Sequence, residues 1–143
     1  MTQDIGFNLD NFDAAQDAST FRVGVILDAD GEDKSGFVIV GKNSPQYQQA
    51  AQVIRASSLK RSSKRKTALD TSTDDGATAV AAIIDANEVT LACSVVIDWF
   101  GFASGGVPAN FDKELLLKML KRFPTWREKI SAALEVDANF MKG

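Results

Sequence analysis

Pro124 stands between two apolar stripes of helical spacing, and no other feature of this 143-residue chain narrows its fold as much. Leu116, Met119, Leu120 and Phe123 recur at helical intervals before it, and Trp126, Ile130, Ala133 and Leu134 do so after it. A proline in a helix interior removes a backbone bond and clashes with the preceding turn, whereas in the first turn its missing N–H costs nothing. The pattern therefore predicts two short helices hinged at Pro124, over about 112–123 and 125–137. Asp112 suits an N-cap, with Phe111 just outside it and Leu116 at the fourth helical position, where the two can form a hydrophobic staple. Upstream, Gly101, Gly105, Gly106 and Pro108 break the backbone after an apolar segment ending at Trp99 and Phe100. Neither short helix can bury its stripe alone, so both are expected to pack on that segment.

The N-terminal half supplies strands. Phe21, Val23, Val25 and Leu27 alternate on one face, and Phe37, Ile39 and Gly41 repeat the pattern on the return, with Val38 and Val40 opposite, so a hairpin over 21–41 is predicted. The intervening Asp28-Ala-Asp-Gly-Glu-Asp-Lys34 has oxygen ligands for calcium, but its glycine is fourth rather than sixth and Ile39 stands where a closing glutamate belongs. It reads as a solvated turn. Ser44-Pro45 opens a helix predicted over 45–66, where Arg55, Lys60, Arg61, Lys64, Arg65 and Lys66 accumulate without an acid between Gly41 and Asp70. Three readings of the cluster compete: a solvated helix end favoured by the dipole, a contact for an acidic protein surface, or a nucleic-acid site. The third is disfavoured, because no aromatic interleaves the cations and the formal net charge is −3. Residues 67–76 are rich in Thr, Ser and Asp and read as a loop.

From Ala77 the chain turns apolar. Ile84, Leu91, Val95 and Trp99 and frequent alanines predict a helix over 77–100, although Val89–Ile97 is β-branched enough for a strand. Asp85, Asn87, Glu88 and Asp98 interrupt this run, so no membrane span is expected, and no secretory leader is recognisable. Residues 1–20 form an acidic arm with Asp4, Asp10, Asp13 and Asp17 beside Ile5, Phe7, Leu9 and Phe12; either it frays or it docks on a neighbouring subunit. The expected architecture is α+β, an N-terminal β-hairpin followed by a mainly α-helical domain of about four helices, with 21–143 as one domain. A composition of 45% hydrophobic and 24% charged residues suits a soluble globular chain of that size.

Chemistry is poorly provided for. The chain has no histidine, which removes the usual general base, the usual metal ligand and any Ser-His or Cys-His pair. Cys93 is alone among apolar neighbours and reads as a buried, inert thiol. Gly101-Phe-Ala-Ser-Gly-Gly106 lacks the lysine of a phosphate loop, and the pairs Asp74-Asp75 and Glu135-Asp137 have nothing nearby to raise a pKa. No enzyme, cofactor or metal is expected.

The order of several phrases resembles the small tail assembly chaperones of long-tailed, siphovirus-like bacteriophages: Val38-Ile-Val-Gly41, Lys42-Asn-Ser-Pro-Gln-Tyr47, Val96-Ile-Asp-Trp99, Phe111-Asp-Lys-Glu114, Phe123-Pro-Thr-Trp126 and Asn139-Phe140. The similarity runs from about Phe21 to Lys142. It implies a protein of the infected bacterium's cytoplasm that binds the phage tape-measure protein, keeps it soluble and helps recruit tail-tube protein. Such chaperones are made in two lengths, and a chain ending at Met141-Lys-Gly143 fits the shorter. A homo-oligomer is expected, with neither membrane nor nucleic acid as partner. The candidate interaction residues are Trp99, Phe100, Phe102, Trp126 and Phe140, which either leave an apolar patch or close one small core, together with Lys60, Arg61, Lys64 and Arg65. The competing expectations are a structural virion protein, such as a tail-tube, neck or head-decoration subunit, and a small nucleic-acid-binding regulator.

Overall fold

The computed structural model describes residues 20–64 and 70–140. The acidic arm up to residue 19, Arg65 and Lys66 at the end of the basic run, the loop residues 67–69, and 141–143 lie outside the described residues.

Strands β1 (Thr20–Leu27) and β2 (Asp33–Val40) pair antiparallel, with Phe21 opposite Ile39 and Val23 opposite Phe37. These cross-strand pairs put Val23, Val25, Phe37 and Ile39 into the core. The register shifts beyond Gly24–Gly36, which leaves Leu27 exposed although alternation predicted it inside. In the turn, the Asp28 carboxylate accepts from the backbone N–H groups of Asp30 at 2.9 Å and Glu32 at 3.0 Å, so the leading acid of the loop is folded onto its own backbone.

Helix α1 (Pro45–Lys64) starts where Ser44, buried, donates to the carbonyl of Gly41 at 2.6 Å and accepts from the N–H of Tyr47 at 3.2 Å. Helix α2 (Asp74–Val95) starts at the Thr73 cap, whose hydroxyl accepts from the Gly76 N–H. The predicted helix over 77–100 ends early. Residues Val96–Phe100 form strand β3, antiparallel to β2, with Phe37 opposite Trp99 and Val38 opposite Asp98. The backbone switches at Val95/Val96 because β2 offers an open edge and a β-branched run suits it, so ladder pairing overrides local helix propensity. The sheet order is β1-β2-β3, with β2 central.

The glycine-rich segment is a small hairpin of β4 (Ala103–Ser104) and β5 (Val107–Pro108), turned at Gly105 and Gly106, which have φ of 61° and 81°. Helix α3 (Lys113–Arg122) begins at Asp112, whose carboxylate accepts from the Glu114 N–H. Helix α4 (Pro124–Leu134) follows after the single residue Phe123, with the proline in its first turn, and a 3-10 turn at Asp137–Asn139 replaces the expected end of the helix. Both helices pack on the core through their stripes, except that Phe123, the last residue of the first stripe, stays exposed. Leu116, Leu120 and Ile130 are fully buried with Phe37, Ile39, Val95 and Val96 in one cluster. The architecture is thus α+β, a β-hairpin followed by four helices, with a third strand inserted between the second and third helices.

Candidate partner-binding surface

Of the five aromatics singled out in the sequence, Trp99 and Phe140 lie in the core, Phe102 and Trp126 pack against it and Phe100 lies outside it, so a patch presenting all five is not formed. Trp99 is 7% exposed; its indole N–H donates to the Ala109 carbonyl at 2.9 Å, and its ring lies edge-on to Phe102 and Phe111 at 5.5 and 5.2 Å. Phe140, equally buried, meets Phe21 edge-on at 6.1 Å and abuts Gly41 so closely that a Cβ there would strike its ring. Phe102 and Trp126 are half-buried, each within about ring-contact range of Phe37, at 5.4 and 6.1 Å. Phe100 is half-buried beneath the Arg22 guanidinium, 3.8 Å from its centroid. Folding of the β4–β5 hairpin back onto Trp99, with the Ala109 N–H bonded to the Phe102 carbonyl, brings the rings of Trp99, Phe102 and Phe111 together. Among the described residues only Phe123, stacked on Trp126 at 4.2 Å, leaves a large aromatic exposed nearby.

The uncovered surface lies instead on the pair α1/α2. None of the 20 residues of α1 is buried, and α2 buries only Gly76, Val89, Ala92 and Val95 of its 22. Val53 is 56% exposed, Leu59 71% and Ile84 58%. By length and composition α2 is the one helix among the described residues that could cross a membrane, yet only 17% of its most apolar stretch is covered. Its C-terminal end is tied into the core, and its middle is tied to α4 through polar groups. Arg127, buried on α4, places Nε 3.0 Å from the Glu88 carboxylate and one terminal nitrogen 3.7 Å from Asp85, while the other donates to the Leu120 carbonyl at 3.1 Å. The Nε–Glu88 contact is an ion pair without the alignment of a hydrogen bond.

Lys60 and Lys64 are exposed and Arg61 half-exposed on α1, with Arg61 reaching the Ser58 hydroxyl at 3.3 Å; Arg65 lies outside the described residues. At the root of the pair, Lys42 is ion-paired with Glu135, whose hydrogen bond raises the lysine's pKa. An open groove of about 290 Å³ runs beside this ion pair, floored by Tyr47, Ile84, Leu91 and Leu134. No group of three or more metal-ligating side chains gathers among the described residues.

Sequence reasoning missed Val53, Leu59 and Ile84. The available signal was that the apolar residues of α1 make no continuous stripe, as a helix packed on a core would need. No family model, curated protein or solved structure matches this chain.

Proposed function

We propose that the protein is a tail assembly chaperone that holds the tape-measure protein of a long-tailed phage in the cytoplasm of the infected bacterium, by binding helical segments of that client along α1 and α2. The observation that carries this reading is the pair of long helices that bury little of their length and leave Val53, Leu59 and Ile84 exposed among the described residues. An apolar, partly basic surface of this kind suits an amphipathic helix laid across it. The particular client is what the resemblance of the phrases from Val38 to Phe140 to tail assembly chaperones implies. Weak contacts repeated along a very long polypeptide, by many copies of the chaperone, gain strength through multivalency. Such a protein needs surfaces and no reacting group.

The test is binding of the purified chain to overlapping segments of the tape-measure protein encoded in the same genome. Saturable binding, weakened at least tenfold by the triple substitution Val53→Ser, Leu59→Ser, Ile84→Ser with the circular dichroism unchanged, is the expected result. Mass spectrometry of purified virions should lack the chain; stoichiometric amounts there would overturn the chaperone reading in favour of a structural subunit.

A further inference from the structure

Helix α1 is cationic in a way that its own fold does not use. From Pro45 to Lys64 it contains Arg55, Lys60, Arg61 and Lys64 and no acidic residue. Among the described residues no carboxylate is ion-paired with any of the four. The helix dipole favours Arg61 and Lys64 in the last turn, but it acts only within that turn and leaves Arg55 unexplained.

The complementary charge lies elsewhere in the same chain. Residues 1–19 contain Asp4, Asp10, Asp13 and Asp17, no lysine or arginine, and the apolar residues Ile5, Phe7, Leu9 and Phe12. Sheet register fixes where this segment departs. Thr20 pairs with Val40, and only residues 41–44 separate Val40 from the start of α1. Thr20, to which the segment is joined, therefore sits near the root of the basic helix. A 20-residue helix is about 30 Å long, and nineteen residues of chain span up to about 60 Å, so the whole of α1 is within reach.

We propose that residues 1–19 dock along α1 of the same molecule, with Asp4, Asp10 and Asp13 set against Arg55, Lys60, Arg61 and Lys64, and with Ile5 to Phe12 covering Val53 and Leu59. A tethered segment acts at an effective concentration in about the millimolar range, which favours a chain's own arm over that of a second copy. If α1 and α2 grip a client as inferred above, the arm occupies part of that grip until the client displaces it; the docking itself needs no client.

The experiment attaches a nitroxide to Thr2→Cys in full-length protein carrying Cys93→Ala and reads amide intensities by NMR. At low salt, Arg55 to Lys64 should lose at least half their intensity when label and isotope share a chain, and keep it when isotope-labelled and spin-labelled chains are mixed. The loss should be relieved at about 0.5 M salt, where screening falls to a few ångströms, and in the Asp4→Asn, Asp10→Asn, Asp13→Asn, Asp17→Asn variant. Undiminished signals along α1 overturn the proposal, as does equal broadening in the mixed sample, which would put the arm on a second copy. Broadening that survives in the asparagine variant removes its electrostatic basis.

Discussion

The ammonium of Lys113 lies 2.8 Å from the carbonyl oxygen of Val96 and also donates to that of Cys93 at 2.9 Å. The first residue of α3 thus closes the C-terminus of α2 at the point where the chain passes from helix to strand. The carbonyls that the helix leaves without partners there, together with the negative end of its dipole, are what a lysine satisfies. Replacing it as Lys113→Met should cost about 1 kcal/mol in urea unfolding, the worth of a typical net hydrogen bond. Burial lowers the pKa of Lys113 from 10.5. The folded protein then holds this proton less tightly than the unfolded chain, so its contribution to stability grows as pH rises through the lowered value towards 10.5. The gap between the parent protein and Lys113→Met should widen over that window.

Cys93, whose carbonyl Lys113 engages, should behave with the opposite sign. Burial raises its thiol pKa from 9.0, a shift that the nearby charges of Lys113 and Lys121 oppose. A thiol held neutral by the fold stabilises it fully below 9.0, and that stabilisation is lost as pH rises through the higher folded value. Cys93→Ala should therefore lose less stability than the parent between pH 9 and the folded value. A chromogenic disulfide reagent should label native Cys93 at least about tenfold more slowly than the urea-unfolded chain at the same pH, because the thiolate is the reactive form. Equal rates would contradict the raised pKa.

These two residues sit at the place where the sequence was hardest to read. The hairpin and three helix starts were legible, because period-2 alternation, Ser44-Pro45, Asp112 and Pro124 are local signals with local physical causes. Strand β3 was not, since Val96–Phe100 suits helix or strand and the choice is made by the open edge of β2, a partner distant in sequence. The fate of the aromatics was equally non-local: Trp99 becomes a core residue only because the β4–β5 hairpin brings the Ala109 carbonyl to its indole. Helix α2 reads as apolar apart from its first turn and Asp85, Asn87 and Glu88, and whether anything covers its face is a tertiary fact invisible to periodicity. The starts of α1, α3 and α4 were legible, whereas the Thr73 cap of α2, inside a stretch that reads as a loop, and the uncovered faces were not.

Gly31 and Gly101 separate two costs that are usually mixed. Both have positive φ, at 81° and 75°, but a Cβ on Gly31 would meet open space while one on Gly101 would collide with the Lys34 carbonyl. Gly31→Ala should cost about 1 kcal/mol, the penalty of a left-handed alanine. Gly101→Ala adds a steric clash with backbone and should cost at least about 3 kcal/mol, among the larger single-site effects. The approach is close because the Ser35 hydroxyl, buried on β2, donates to the Gly101 carbonyl at 2.7 Å. Ser35→Ala should lose about 1 kcal/mol. Similar unfolding midpoints for the two glycine variants would mean that β2 and the Gly101 turn are not in contact.

Arg127 ties the uncovered pair to the rest of the molecule, and its substitutions should rank by what each removes. Its side chain is 9% exposed, while Asp85 is 68% and Glu88 30% exposed, so water can resolvate the acids when the cation is lost. Arg127→Met keeps the stem packed and forfeits the Glu88 pair and the bond to the Leu120 carbonyl, which should cost about 1–2 kcal/mol. Arg127→Ala also empties the space between α2 and α4 and should cost about 3 kcal/mol. Arg127→Lys restores a charge but not a planar fork able to face Glu88, Asp85 and Leu120 together, so it should fall nearer to Met than to the parent. In hydrogen exchange, the loss should appear first in the middle of α2, where Asp85 and Glu88 sit, and not in β2 or β3. An Arg127→Met protein as stable as the parent, with unchanged exchange in α2, would mean that the helix is held by Val89, Ala92 and Val95 alone.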